Sequence, residues 1–208
     1  MRSLISAALV LSSLLTHAAS AQDAGRLLAI QQRKYQLNHE LLLGGMVEPQ
    51  DAFSKGVAVE GGYIWHFSDL WSWEVLRGGY VAQLDTGLKT QLLRDFGTDP
   101  TQFESLQYYA SSSLTYAPLY GKFALRNSSL IHAEAFLNFG AAFGRFTSSY
   151  QAGPEVGVGA RVFLSQALSL RFDVRDAVFI RRKANNGVTN QALFLSFGLA
   201  IALGGQAR

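Results

Sequence analysis

The sequence predicts an all-β fold, a transmembrane antiparallel up-and-down β-barrel of about eight strands. In the segment 168–176, LSLRFDVRD, apolar and polar residues alternate without a break from 168 to 175, and a period of two is the pattern of a β-strand. The predicted strand segments are longer than the roughly 5–6 residues usual in soluble sheets and suit a tilted strand that crosses a bilayer. No stretch after the N-terminal region has the roughly 18 unbroken apolar residues that a spanning helix needs. We therefore expect that strands, rather than helices, cross the membrane.

Residues 1–21 are predicted to be a secretory signal peptide. Arg2 supplies the positive start, residues 4–15 the apolar core, and residues 19–21 (Ala-Ser-Ala) a cleavage site of small residues. We therefore expect export, with Gln22 as the first residue of the mature chain. Residues 22–33 are polar with a short apolar patch, and we expect them to form a periplasmic N-terminal linker.

The composition excludes several classes of function. The chain has no cysteine, so we expect no disulfide framework, no thiolate metal site and no lipoprotein anchor. Its formal net charge of +3 is too small to indicate a nucleic-acid partner. His39 and His132 lie on separate predicted strands, and no histidine pair has the spacing of metal ligands. We therefore expect no metal and no cofactor.

The barrel domain is predicted at 34–203, followed by a short C-terminal tail at 204–208. Its strands are predicted at 34–47, 56–67, 71–83, 107–125, 130–146, 155–164, 168–180 and 190–203. Tight connections alternate with mostly longer, polar ones, the longer set being 48–55, 84–106, 148–154 and 181–189. Short turns at one end and long loops at the other are typical of outer-membrane barrels, and the even strand number returns both termini to the periplasmic end.

The two faces of the predicted strands differ in a way that favours a membrane barrel. One face is almost uniformly apolar, whereas the other mixes charges, glycines and a few aromatic residues. A soluble barrel would have to pack the large apolar side chains into a narrow interior, so we expect them to face lipid and the small and charged residues to fill the interior. The inward charges form a predicted network of Glu40, Glu60, Glu74, Glu134, Glu155, Arg161, Arg171, Asp173 and Arg175.

Charges in a narrow interior must pair, because an isolated buried ion costs several kcal/mol. One interpretation is a salt-bridged plug that stiffens the barrel, and the other is a gated path for ions or protons. An interior this narrow is filled by side chains, so no open pore is expected.

Aromatic residues cluster beside the tight turn at 68–70. Because Trp and Tyr collect where membrane meets water, this group predicts a membrane interface at the periplasmic end. The residues are Tyr63, Trp65, Phe67, Trp71 and Trp73.

Four stretches resemble the outer-membrane β-barrel domain family typical of myxobacteria and their relatives, small eight-stranded barrels of the OmpA/OmpX kind. They are IQQRKYQLNHELLLGG (30–45), APLYGKFAL (117–125), GARVFLSQALSLRFDVRD (159–176) and ALFLSFGLAIAL (192–203). The last stretch resembles the insertion signal read by the barrel-assembly machinery, with Ser196, Gly198, Ile201 and Leu203 at its positions, although the chain ends in GGQAR rather than an aromatic residue. The resemblance implies the cell outer membrane, contact with its lipid and lipopolysaccharide, and that machinery as a partner, and it implies no reaction.

The predicted function is that of a non-enzymatic barrel that anchors or interacts, as the membrane part of an envelope or a surface motility or adhesion complex, with protein partners in the envelope. The alternative is a narrow channel for solutes or ions, or an enzyme that modifies lipid A. His66-Phe67-Ser68 is the enzyme candidate, since a histidine can activate a serine for acyl transfer, but it lies at the periplasmic turn, away from the outer leaflet. The long loop 84–106 has no assigned role.

Overall fold

The computed structural model describes residues 33–49, 54–85, 94–95, 105–125, 129–181, 188–204 and 206–207. These residues are almost entirely β-strand. In chain order the strands are β1 (Tyr35–Gln36), β2 (His39–Glu48), β3 (Ser54–His66), β4 (Trp71–Asp85), β5 (Leu106–Leu125), β6 (Ser129–Phe146), β7 (Tyr150–Phe163), β8 (Leu168–Arg181), β9 (Val188–Leu203) and β10 (Gln206–Ala207).

Strands β2 to β9 form one closed barrel of eight strands, each antiparallel to its chain neighbours. The ring closes where β2 pairs with β9, with Leu41 opposite Ile201 and Gly44 opposite Gly198. Because the barrel closes here, no backbone N–H or C=O group is left unpaired along an open sheet edge. A sheet in hydrocarbon requires such closure. The predicted fold class, a barrel of about eight antiparallel strands, is confirmed.

The connections differ between the two ends of the barrel. At the end that holds the first and last barrel residues, the turns are short, spanning residues 67–70 and 164–167. At the opposite end, residues 86–105 separate β4 from β5. We call these the short-turn end and the loop end.

One predicted loop, 148–154, is wrong. Strand β7 begins at Tyr150, so only residues 147–149 connect it to β6. Gly153 and Pro154 read as loop residues, yet both lie inside β7 and face Ala142 and Ala141 of β6. On the β8 side the ladder has no bridge at these two positions, which suits a proline because it has no N–H to donate.

The single strand predicted at 34–47 is also wrong, because the chain breaks at Leu37 and Asn38. Strand β1 lies before the break and pairs with β10, in a two-stranded sheet separate from the barrel. Asn38 holds the break in place: its carbonyl accepts from His66 N at 2.8 Å and its Nδ2 donates to Gly204 O at 2.9 Å. The predicted tail therefore contains a short strand.

Several predictions fall outside the described residues: the signal peptide at 1–21, the linker at 22–33 apart from Arg33, and most of the loop 84–106. Among the residues that the structure describes, no helix is long and apolar enough to cross a membrane.

Candidate functional site

The barrel has charged side chains inside and apolar side chains outside. Glu74 and Arg171 are 0% and 1% exposed, whereas Val59 and Leu119 on the outer face are 70% and 66% exposed. All nine residues predicted to form the interior network are buried: Glu40, Glu60, Glu74, Glu134, Glu155, Arg161, Arg171, Asp173 and Arg175. In water this arrangement would expose the apolar side chains and bury the charges, so it suits a lipid surrounding.

The middle of the interior is a dense cluster of ion pairs. Arg175 lies between two glutamates, with Nη1 at 2.6 Å from Glu74 Oε1 and 2.9 Å from Glu155 Oε1. Arg171 Nη2 lies 3.1 Å from the other Glu74 oxygen, and Arg171 Nε lies 3.2 Å from Asp173 Oδ2. The Arg171 guanidinium also stacks over the Phe136 ring, 4.5 Å from its centroid. Charges from β4, β7 and β8 are thus cross-linked through the middle of the barrel.

A second group of contacts joins β3 to this cluster. Arg77 forms an ion pair with Glu60 through two nitrogens and reaches Asp173 Oδ2 at 3.2 Å. Glu60 also accepts the hydroxyl hydrogen of Tyr109. Asn138 Nδ2 adds a further hydrogen bond to this group of contacts, because it donates to Asp173 Oδ1 at 3.2 Å. Since a buried carboxylate needs several donors, this saturation is what allows Glu60 and Asp173 to remain inside.

The short-turn end has its own chain of charged contacts. Arg161 bridges two carboxylates, with Nη2 at 2.8 Å from Glu40 Oε2 and Nη1 at 2.7 Å from Glu134 Oε1. His66 Nε2 lies 2.7 Å from the same Glu40 oxygen. Arg33, from the segment before the barrel, lies 2.7 Å from Glu134 Oε2. Charges of opposite sign therefore alternate from the interior to the short-turn mouth.

Toward the loop end the interior is mostly apolar, although Glu48 and Gln151 are also buried there. Its buried cluster consists of Met46, Ala58, Val81, Leu106, Tyr109, Ala142, Phe146, Ala177, Phe179, Ala192 and Phe194. The rings interlock, with Phe146 to Phe179 at 5.2 Å and Tyr109 to Phe194 at 5.3 Å between centroids. This apolar plug covers the ion-pair cluster and shields it from the loop end.

The described interior holds little free space. Two cavities at the short-turn end have volumes of about 20 and 10 Å³, and His66, Ser68 and Glu134 are among the residues that line them. Larger grooves of about 470 and 530 Å³ lie outside, between apolar side chains of the outer face. A cavity of the smaller sizes holds about one water molecule at most. Around these two cavities, therefore, side chains of the described residues occupy most of the interior.

The predicted interface aromatics, Tyr63, Trp65, Phe67, Trp71 and Trp73, all lie on the outer face near the short-turn end and are between 36% and 51% exposed. Polar contacts hold some of them: Trp73 Nε1 donates to Ser112 Oγ at 3.0 Å, and Tyr63 Oη pairs with His39 Nδ1 at 2.8 Å.

A second aromatic group lies toward the loop end, where Tyr80 packs on Tyr108 at 5.1 Å and Phe143 on Tyr150 at 5.9 Å. Tyr80 follows Trp71 by nine residues, which is about 20–25 Å along the barrel axis for a tilted strand. That height matches the apolar band of an outer-membrane barrel, about 25 Å.

The four residues of the predicted insertion signal divide between the faces of β9. Ser196 and Gly198 are buried inside, and Ile201 and Leu203 are 46% and 45% exposed outside. This alternation gives the strand an outer face of hydrophobic side chains.

The His66-Phe67-Ser68 stretch does not form a nucleophile and base in the described geometry. His66 directs Nε2 at Glu40, and Ser68 Oγ accepts from the backbone N–H of Leu70 at 3.4 Å. The histidine therefore serves the charge network.

Three residues of the interior were not predicted from the sequence: Arg77, Tyr109 and Arg33. A strict period of two from Glu74 would turn Arg77 outward, but the ladder between β4 and β5 shifts register between these residues and turns it inward. Tyr109 alternates inward with the buried Ser111 and Ser113 of the same strand, and this alternation was the available signal. Arg33 lies in a segment that appeared to be a linker, and only tertiary contact reveals its role.

No known family model matches the chain, and no curated protein matches it either. Among solved structures, Neisserial surface protein A (NspA) is 12% identical, with 82% of this chain and 100% of that chain covered and a TM-score of 0.43. A de novo designed transmembrane β-barrel is 16% identical (81% and 98% covered, TM-score 0.41), and OprG from Pseudomonas aeruginosa is 11% identical (83% and 98% covered, TM-score 0.38). At this distance, the function of the chain has to be argued from its own residues.

Proposed function

We propose that this protein is a sealed outer-membrane β-barrel with a non-enzymatic role as an anchor or interaction module. The observation that carries the proposal is the filled interior, in which the Glu74–Arg175 cluster lies between an apolar plug and the Arg161 chain of charges. An interior cluster in which Glu74, Asp173 and Arg175 hold one another by ion pairs favours rigidity, since each of these buried charges has partners of opposite sign.

The outer face supports the membrane part of this proposal. A band of exposed apolar side chains runs between two aromatic groups, which is the surface that a bilayer with two interfaces requires. The short-turn end then faces the periplasm and the loop end the cell exterior. Insertion by the barrel-assembly machinery, through Ser196, Gly198, Ile201 and Leu203, belongs to the same proposal.

We assign the interaction to the outer face, which meets lipid and lipopolysaccharide, and to the segments predicted from the sequence as the N-terminal linker and the long loop 84–106. A specific form of the proposal, which rests on sequence resemblance alone, is the membrane part of an envelope or surface motility or adhesion complex. Partner proteins are then sought with the full chain as bait.

Planar-bilayer recording tests the sealed interior. Purified protein is reconstituted beside a known open porin as the positive control. The expected result is a baseline equal to that of protein-free bilayers, with heat-dependent gel migration as the check that the barrel is folded. Reproducible, ion-selective steps from the folded protein would instead make it a narrow channel.

The enzyme alternative has its own test. Outer membranes that carry the wild-type protein or the Ser68→Ala variant are compared for the acylation pattern of lipid A by mass spectrometry. We expect identical patterns, because His66 is held by Glu40. A deacylated species that depends on Ser68 would overturn the proposal.

A further inference from the structure

Arg33 inserts its side chain into the short-turn mouth of the barrel. It is the first described residue, and its side chain is only 14% exposed. The guanidinium makes two hydrogen bonds to groups far along the chain: Nη1 donates to Glu134 Oε2 at 2.7 Å, and Nη2 donates to Ala117 O at 2.6 Å. The mouth thus receives a cation from outside the eight-stranded ring.

The groups that receive Arg33 form a site with two acceptors and one aromatic wall. Glu134 is 5% exposed, and its other oxygen already pairs with Arg161 at 2.7 Å. The Tyr120 ring lies 5.4 Å from the Arg33 guanidinium carbon. A carboxylate oxygen and a carbonyl oxygen side by side match the planar fork of a guanidinium, and the ring face favours the same cation, whereas an ammonium group offers no such fork.

The residues after Arg33 hold the segment down. Lys34 N donates to Tyr120 Oη at 3.3 Å, and Tyr35 stacks on Phe163 with centroids 5.3 Å apart. Tyr35 and Gln36 then pair with Ala207 and Gln206 as strands β1 and β10. Cavities of only about 10–20 Å³ remain around the inserted side chain.

We propose that the short-turn mouth is a guanidinium-binding site that the chain's own Arg33 occupies, so that residues 33–36 act as a latch over the interior. The site takes guanidinium compounds as a chemical class, because Glu134, Ala117 O and Tyr120 recognise the planar cation. Removing Arg33 leaves the buried Glu134 oxygen and the carbonyl without this donor, which creates a site for a free guanidinium.

Hydrogen–deuterium exchange of the purified full chain in detergent micelles measures latch opening directly. The backbone amides of residues 34–36 report it. Arg33→Ala is expected to speed their exchange about tenfold, which is the factor that one charged hydrogen bond of ordinary strength supplies. Arg33→Lys keeps the charge but loses the fork, so its exchange is expected to lie between those of wild type and Arg33→Ala.

Chemical rescue then tests the ligand class. Millimolar guanidinium chloride, below denaturing concentrations, is expected to restore slow exchange in Arg33→Ala, whereas the same concentration of sodium chloride is not. Arg145→Ala is the matched control, since it removes an exposed arginine at the loop end, away from the latch. We expect its exchange to stay within about twofold of wild type and to be insensitive to guanidinium.

The proposal is overturned if Arg33→Ala exchanges as slowly as wild type, or if the two salts act alike on it. The assay depends on neither conductance nor the cellular compartment, so it fails independently of the proposed function. A conducting barrel with a guanidinium-rescued latch would remove the sealed-barrel proposal and leave this one standing.

Discussion

Glu74 and Arg77 both point into the barrel although they are three residues apart on one strand. Arg77 Nη1 lies 3.7 Å from Glu74 Oε2, and both residues are at most 1% exposed. In a regular strand, residues three apart leave opposite faces. The register shift between them, where β4 pairs with β5, turns the second half of the strand over. One irregularity therefore adds a guanidinium to the middle of the barrel.

The first prediction concerns Arg77. Arg77→Gln leaves Glu60 and Asp173 without their shared cation, so the free energy of unfolding is expected to fall by about 3–5 kcal/mol. Urea unfolding in lipid vesicles measures the change. Arg145→Gln is the control, because Arg145 is exposed at the loop end and its loss should cost no more than about 0.5 kcal/mol. Equal losses from the two variants would show that the interior network does not stabilise the barrel.

The second prediction concerns close strand contact at Gly153. A Cβ atom there would lie 1.7 Å from Val178 O, so the backbone of β8 would have to move to make room for it. Gly153→Ala is therefore expected to destabilise the folded barrel by about 1–3 kcal/mol or to stop assembly. Gly61→Ala is the matched change, since the nearest neighbour of a Cβ atom there would be Leu42 O, at 3.6 Å. Gel migration without boiling gives the folded fraction; similar fractions for both variants would contradict the strand packing.

These two cases indicate what the sequence could and could not predict. The alternating pattern is clear over residues 168–175 of β8 and 195–203 of β9, and both strands were predicted to within two residues. Gly153-Pro154 was misread because glycine and proline usually mark loops, and only the neighbouring strands reveal that a missing Cβ and a missing N–H are tolerated there. Arg77 was missed because a bulge reverses the phase of a strand without a clear signature in its residues.

The third prediction concerns the outer face at two depths. Val174 lies midway along β8 and is 43% exposed, and Leu164 lies in the turn at 164–167 and is 54% exposed. Arginine near the bilayer midplane costs about 2–4 kcal/mol and near an interface about 0–1 kcal/mol. Val174→Arg should therefore destabilise folding into vesicles far more than Leu164→Arg. If the two substitutions lower the free energy of unfolding equally, residue 174 does not lie near the bilayer midplane with residue 164 near the interface, and this prediction is wrong.

The N-terminal end of the site shows a further limit of sequence analysis. Residues 22–33 were predicted to be a linker because they are polar and lack a strand pattern. Arg33 nonetheless binds Glu134, which is 101 residues away in the sequence. Long-range pairing of this kind depends on the closed barrel, and a single sequence carries no local signal for it. The interior charges Arg171, Asp173 and Arg175, by contrast, follow directly from alternation.

The most direct test of the central claim is whether residue 174 faces acyl chains. The chain has no cysteine, so Val174→Cys and Leu164→Cys each carry a single fluorescent label in reconstituted vesicles. The account predicts that quenchers on lipid acyl chains dim the label at 174 strongly while aqueous iodide does not, and that iodide reaches the label at 164. Strong iodide quenching at 174, with no effect of the lipid quencher, would mean that this face lies in water and would contradict a membrane barrel.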